Sequence, residues 1–97
     1  MRALQKKVGQ PWEVVEIANE LKALQEAVGG YIETVTLFED CVLICNEEGR
    51  LRGLPYNCEV LGMTFVGDIL LVGVDGDEFA DVPELEYLIE EVKRWDD

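Results

Sequence analysis

The sequence predicts an α+β domain, with a mostly antiparallel sheet of about five or six strands and two helices packed on one side. Three observations lead there. Turn signals of the hairpin kind, such as Asn46-Glu47-Glu48-Gly49, outnumber signals for long crossovers. Two segments, residues 20–28 and the stretch after Asp81, carry apolar side chains at helical spacing. The run Cys41-Val42-Leu43-Ile44-Cys45 is apolar without alternation, as in a strand covered on both faces. A chain of 97 residues hides roughly two thirds of its unfolded surface, enough for one core, so residues 1–97 are read as a single domain.

In chain order, Arg2 to Val8 reads as a strand, and Gly9-Gln10-Pro11 turns it toward a second strand at Trp12 to Ile17, with which it should pair. Asn19 is placed to cap a helix over residues 20–28. Leu21, Leu24 and Val28 form its buried stripe, and Gly29-Gly30 supplies a left-handed exit. Tyr31 to Phe38 returns to strand composition, Glu39-Asp40 turns the chain, and Cys41 to Cys45 is the expected central strand. Asn46-Glu47-Glu48-Gly49 has the chemistry of a type I turn with a left-handed glycine bulge, which predicts an antiparallel hairpin between 41–45 and 50–54. Gly53-Leu54-Pro55-Tyr56-Asn57 reads as a loop, and Met63 to Val66 and Ile69 to Val74 as two further strands of the same sheet.

Asp75-Gly76-Asp77 should end the strands, and Asp81 with Glu84 three residues later has the form of a capping box. In the helix that follows, Leu85, Leu88, Ile89, Val92 and Trp95 share one stripe, Glu86, Glu90 and Lys93 lie opposite, and Glu90 is spaced to support Arg94.

Charge restricts the partners. The chain holds 21 Asp and Glu against 8 Lys and Arg, a formal net charge of -13, and from Asp68 onward eleven carboxylates face only Lys93 and Arg94. Such a field repels nucleic acid and anionic membranes and attracts basic protein surfaces over a Debye length of roughly 8 Å. The expected partner is a protein with a basic surface, with no direct nucleic-acid or membrane contact. Apolar runs such as Ile69 to Val74 fall far short of the roughly 18 residues that span a bilayer, and the opening residues lack a hydrophobic signal segment, so a cytoplasmic location is expected. Cys41, Cys45 and Cys58 are odd in number, which fits thiols in a reducing compartment.

Chemistry is sparsely signalled. With no histidine, Ser-His-Asp, Cys-His and zinc-protease arrangements are excluded, and no phosphate-binding glycine loop is present, so the domain is read as non-catalytic and without a cofactor. Asp75, Asp77, Asp81 and Glu86 count as positions one, three, seven and twelve of a calcium loop, but Phe79 and Ala80 stand at five and six, where an oxygen ligand and the turn glycine belong. No metal is expected. On a strand, Arg50-Leu51-Arg52 would point two guanidinium groups to one side near Asn46 and Asn57, so these four residues form an alternative site for a small ligand or nucleotide phosphate. The plainer reading pairs both arginines with Glu47, Glu48 or Glu59.

Four motifs occur in order: Val28-Gly29-Gly30-Tyr31-Ile32-Glu33, Val42 through Gly49, Gly53-Leu54-Pro55-Tyr56-Asn57 and Ile69-Leu70-Leu71-Val72-Gly73. Across roughly Val14 to Glu78 this order resembles a domain-of-unknown-function family of bacteriophages and of mobile elements in Gram-positive and gut bacteria. Gly9-Gln10-Pro11 departs from that family's small glycine-proline turn, and the acidic C-terminal helix is less characteristic of it. The resemblance implies an α+β fold and a phage or mobile-element setting, and carries no agreed activity. In that setting a compact acidic domain is expected to bind a protein partner, as an anti-restriction or anti-CRISPR inhibitor that imitates the charge of DNA before a host nucleic-acid-binding enzyme. The candidate contact residues are Asp75, Asp77, Glu78, Asp81, Glu86 and Glu90, since helical carboxylates three or four positions apart lie about 5–6 Å from each other and can engage phosphate-binding arginines and lysines. Charges of this kind also serve simply to solvate a small domain.

Overall fold

The computed structural model describes residues 1–95; Asp96 and Asp97, and the side chain of Trp95 that the predicted stripe includes, lie outside the described residues. The fold is α+β. Strands β1 (Arg2–Lys6) and β2 (Glu13–Glu16) pair as expected and are followed by helix α1 (Leu21–Val28). Next come β3 (Ile32–Phe38), β4 (Cys41–Asn46), β5 (Tyr56–Val60), β6 (Met63–Val66), β7 (Ile69–Asp75), β8 (Glu78–Ala80) and helix α2 (Leu85–Trp95). The six-stranded sheet runs β2-β1-β7-β4-β3, with β8 also paired to β7, and all its pairings are antiparallel. β7 therefore takes the middle, with β4 beside it.

Cys41 to Cys45 of β4 and Ile69 to Val72 of β7 are apolar without interruption because both faces of the sheet are covered there. Cys41, Leu43 and Cys45 of β4 and Ile69 and Leu71 of β7 point into one core with Leu88 and Val92 of α2 and Cys58, Val60 and Phe65 of the β5–β6 hairpin. Val42 and Ile44 of β4 and Leu70 and Val72 of β7 point the other way, against Leu24 and Val28 of α1. The two helices thus lie on opposite faces, and not on one side as the sequence predicts. Eight or eleven residues of helix cover only part of a face, and each buried leucine or valine adds about 1.5–3 kcal/mol, so capping both faces buries more than stacking both helices on one.

Local signals explain the rest. Gly29 stands at φ 79, and its N–H and that of Gly30 both donate to the Gln25 carbonyl, closing α1 as predicted. At the other end Asn19 does not cap: Glu20 holds the cap position with no side-chain bond, and the Asn19 amide donates 2.8 Å to the Phe79 carbonyl, tying the loop to β8. The predicted hairpin of 41–45 with 50–54 is absent. β4 has its two neighbours in β3 and β7, and residues 47–54 coil in tight turns with N–H groups of Arg52 and Leu54 donating to Glu48 and Gly49. Gly49 is not left-handed; a Cβ there would stand 2.9 Å from Val66 Cγ2, so close approach keeps it small.

Residues 56–57, read as loop, open β5, and β6 pairs with β5 in its own two-stranded sheet instead of joining the main one. Leu61 at φ 50 and Gly62 at φ 81 make its two-residue turn. The strands do not end at Asp77 either: the chain reverses through Gly76-Asp77 and returns as β8, Asp75 opposite Glu78. Before α2, the Asp81 carboxylate accepts from the Arg2 N–H at 2.7 Å, and the first helical bond runs from Leu88 to the carbonyl of Glu84, itself at φ 45, so no capping box forms. On α2, Arg94 pairs with Glu91 and not with Glu90, which pairs with Lys93. Among the described residues no helix is long and apolar enough to cross a membrane.

Candidate functional site

Antiparallel registers gather carboxylates at one end of the sheet. Opposing Cys41 to Gly73, with the Val74 N–H donating to the Asp40 carbonyl, brings the Glu39-Asp40 turn beside the Asp75–Glu78 turn. Asp75, Asp77 and Glu78 are exposed on that turn, as are Glu39 and Asp40. The start of β1 reaches the same end, where Glu16 lies 3.7 Å from both the N-terminal amine and Arg2 Nε.

Of the six predicted contact residues, then, Asp75, Asp77 and Glu78 come together. Asp81 lies close by with one oxygen engaged by the Arg2 N–H, Glu86 lines a shallow exposed hollow with Arg2, Glu84 and Tyr87, and Glu90 sits one turn further along α2 on Lys93. Sequence reasoning missed Glu39 and Asp40, which lie more than thirty positions away and carry no local signal beyond a turn. Each exposed carboxylate is screened and worth about 0–1 kcal/mol against a single cation, so only a group of them can hold a partner. A turn that offers several oxygens can take guanidinium groups in paired hydrogen bonds.

The alternative residues lie at the opposite end and serve the fold. Asn46 is buried; its Nδ2 donates 3.1 Å to the Val28 carbonyl and its Oδ1 accepts from the Glu48 N–H at 2.8 Å. Arg52 donates 2.8 Å to the Gly29 carbonyl, so two side chains satisfy carbonyls at the negative end of α1. Asn57, also buried, donates to the carbonyls of Lys6 and Gly67, while its Oδ1 has no partner among the described residues. Arg50 reaches the Thr64 carbonyl at 2.8 Å. Since 50–53 is turn and not strand, the two guanidinium groups part company, and neither arginine pairs with Glu47, Glu48 or Glu59. Asn46 and Arg50 line a groove of about 330 Å3 with Glu33, Glu47, Leu51 and Met63 among its walls, and two carboxylates there oppose a phosphate.

The three cysteines are buried, and no disulfide joins them. Burial pushes the Cys41 and Cys45 thiols up to about 11; Asp40 adds to the shift at Cys41, Glu33 adds to it at Cys45, and Arg50 offsets part of it there. Among the described residues no three His, Cys, Asp or Glu side chains are placed to hold a metal ion. These thiols predict a pH dependence. Between the ordinary 9.0 and about 11 the unfolded chain releases thiol protons that the folded chain keeps, so stability is complete below the first value and declines toward the second. Denaturant midpoints should fall between about pH 8 and about pH 10.5, and fall less in Cys41→Ala/Cys45→Ala. Equal falls in both proteins would contradict the assignment.

Neither a curated protein nor a solved structure matches the chain. A family model does match, over residues 1–93, and with it the chain belongs to the family described as Domain of unknown function (DUF3846).

Proposed function

We propose that this domain is a non-catalytic, protein-binding module that presents its acidic end to a basic partner surface. The observation that carries the reading is the meeting of Asp75, Asp77 and Glu78 with Glu39 and Asp40, carboxylates from two separate turns, at one end of the sheet. The cationic side chains of Arg50 and Arg52 are tied to carbonyls at the other end, and the N-terminal amine and Arg2, which do reach this end, lie against Glu16, so the five turn carboxylates outnumber the cations beside them.

The partner class that fits is a nucleic-acid-binding enzyme whose arginines and lysines ordinarily hold phosphates, met in the cytoplasm of a bacterial host by a phage or mobile-element protein. Inhibition then follows from occupancy: while the carboxylates fill the cationic groove, DNA cannot enter it.

The test is a salt titration of binding between this chain and purified restriction and CRISPR effector nucleases. Association should be strongest near about 0.05 M salt, weaken steeply toward about 0.5 M as the Debye length shrinks, and compete with DNA. Absence of binding to any of them at low salt would contradict the reading.

A further inference from the structure

We propose that the outer edge of β3 is a docking strand for an extended cationic segment of a partner protein. This surface lies apart from the acidic turns and does not depend on them.

β3 is the last strand of the sheet and, among the described residues, pairs with β4 alone. The bond from the Glu47 N–H to the Tyr31 carbonyl fixes the phase of that ladder: Tyr31 opposite Glu47 is a hydrogen-bonded pair, and by alternation so are Glu33 opposite Cys45 and Val35 opposite Leu43. The N–H and C=O groups of Ile32, Thr34 and Thr36 consequently face outward. Natural edges of this length are guarded by lysine, proline or a bulge. Ile32 to Phe38 contains neither lysine nor proline, and its register shift comes only after Thr36, leaving the first five residues open. The opposite edge, β2, has four residues.

Side chains beside this edge specify the occupant. Glu33 and Val35 share one face of β3 and form a wall of the groove of about 330 Å3 whose other walls include Glu47, Arg50, Leu51 and Met63; the Arg50 guanidinium is held on the Thr64 carbonyl, so two carboxylates stand there against one cation. Leu51 is 90% exposed and Met63 37%. No ion pair engages Glu33 or Glu47 among the described residues. A strand added to the edge places alternate side chains over this groove, a lysine or arginine opposite Glu33 and within reach of Glu47, and an apolar residue opposite Val35 that covers Met63 and Leu51. A second copy of the chain is disfavoured, because each carries a formal charge of -13.

The probe is an acetylated, amidated peptide, Thr-Lys-Thr-Val-Thr-Lys-Thr, which reads the same in both directions, titrated into the full 15N-labelled chain. Amide shifts should concentrate at Ile32, Thr34 and Thr36. Thr34→Pro removes an outward donor without touching the β4 ladder and should weaken binding about tenfold. Glu33→Lys should transfer preference to the peptide with glutamate in place of lysine. Should the proline variant fail to fold, the same peptide with N-methyl groups on its pairing residues should lose binding to the unaltered chain. Shifts centred on Asp75 to Glu90, equal binding by the N-methylated peptide, no binding at millimolar peptide, or a dimer in ultracentrifugation that Thr34→Pro dissolves would each overturn the proposal.

Discussion

Gly73→Ala is expected to unfold the domain or to lower its melting midpoint more than any substitution on the surface. Gly73 is buried in β7 between the Cys41 pairing on one side and Ala80 on the other. A Cβ built there overlaps the carbonyl oxygen of Asp81 and crowds that of Ala80. Both obstacles are backbone, so no side chain can swing aside, and the Asp81 segment is held in place by the Val82 N–H on the Arg2 carbonyl and the Arg2 N–H on the Asp81 carboxylate. Overpacking costs typically 1–3 kcal/mol where side chains can yield, so about 3 kcal/mol is a floor here, and on a domain this small that is a fall of roughly 12–24 °C. A variant that melts within about 3 °C of the parent would contradict the close approach of β8.

Leu71→Ala ranks second. Leu71 is fully buried in the middle strand, opposite Leu4 on β1 and Leu43 on β4, within the core shared by α2 and the β5–β6 hairpin. Removing three carbons from a site walled by strands on both sides leaves a cavity that cannot collapse, and such losses run at about 2–5 kcal/mol. That is a large share of the roughly 5–15 kcal/mol that stabilises a domain. Leu51→Ala, by contrast, should change stability by about 0.5 kcal/mol or less, since that leucine is 90% exposed. Urea unfolding should show the midpoint falling for Leu71→Ala at an unchanged slope and staying still for Leu51→Ala. The reverse order would mean the core is misplaced.

What the sequence made legible follows the reach of each signal. The β1–β2 pair, the glycine exit from α1, the fully buried run of β4 and the α2 stripe from Leu85 to Val92 rest on neighbours a few positions apart, and each is where the pattern puts it. Pairing over distance was not legible: the turn chemistry of 46–49 fits a hairpin, but β4 already has β3 and β7 as partners, and no ladder remains for 50–54. Nor does composition reveal that Tyr56 to Val66 folds back as its own hairpin over one face. Apolar residues on both faces of β4 already require a cover on each, a constraint that the expected one-sided helices do not meet. Within the candidate site, Asp75, Asp77 and Glu78 were visible as a charged turn, whereas Glu39 and Asp40 become their neighbours only through the β4–β7 register.

The most direct measurement sets the triple variant Asp75→Lys/Asp77→Lys/Glu78→Lys against Glu13→Lys/Glu26→Lys/Glu59→Lys, which changes net charge equally at exposed sites elsewhere. Affinity for a bound effector nuclease is read by titration at one salt concentration. The acidic-end variant should lose about tenfold or more and the control about threefold or less, because only the former turns contacts into repulsions. Equal losses would show that net charge alone attracts the partner, and would contradict a recognition surface at this end of the sheet.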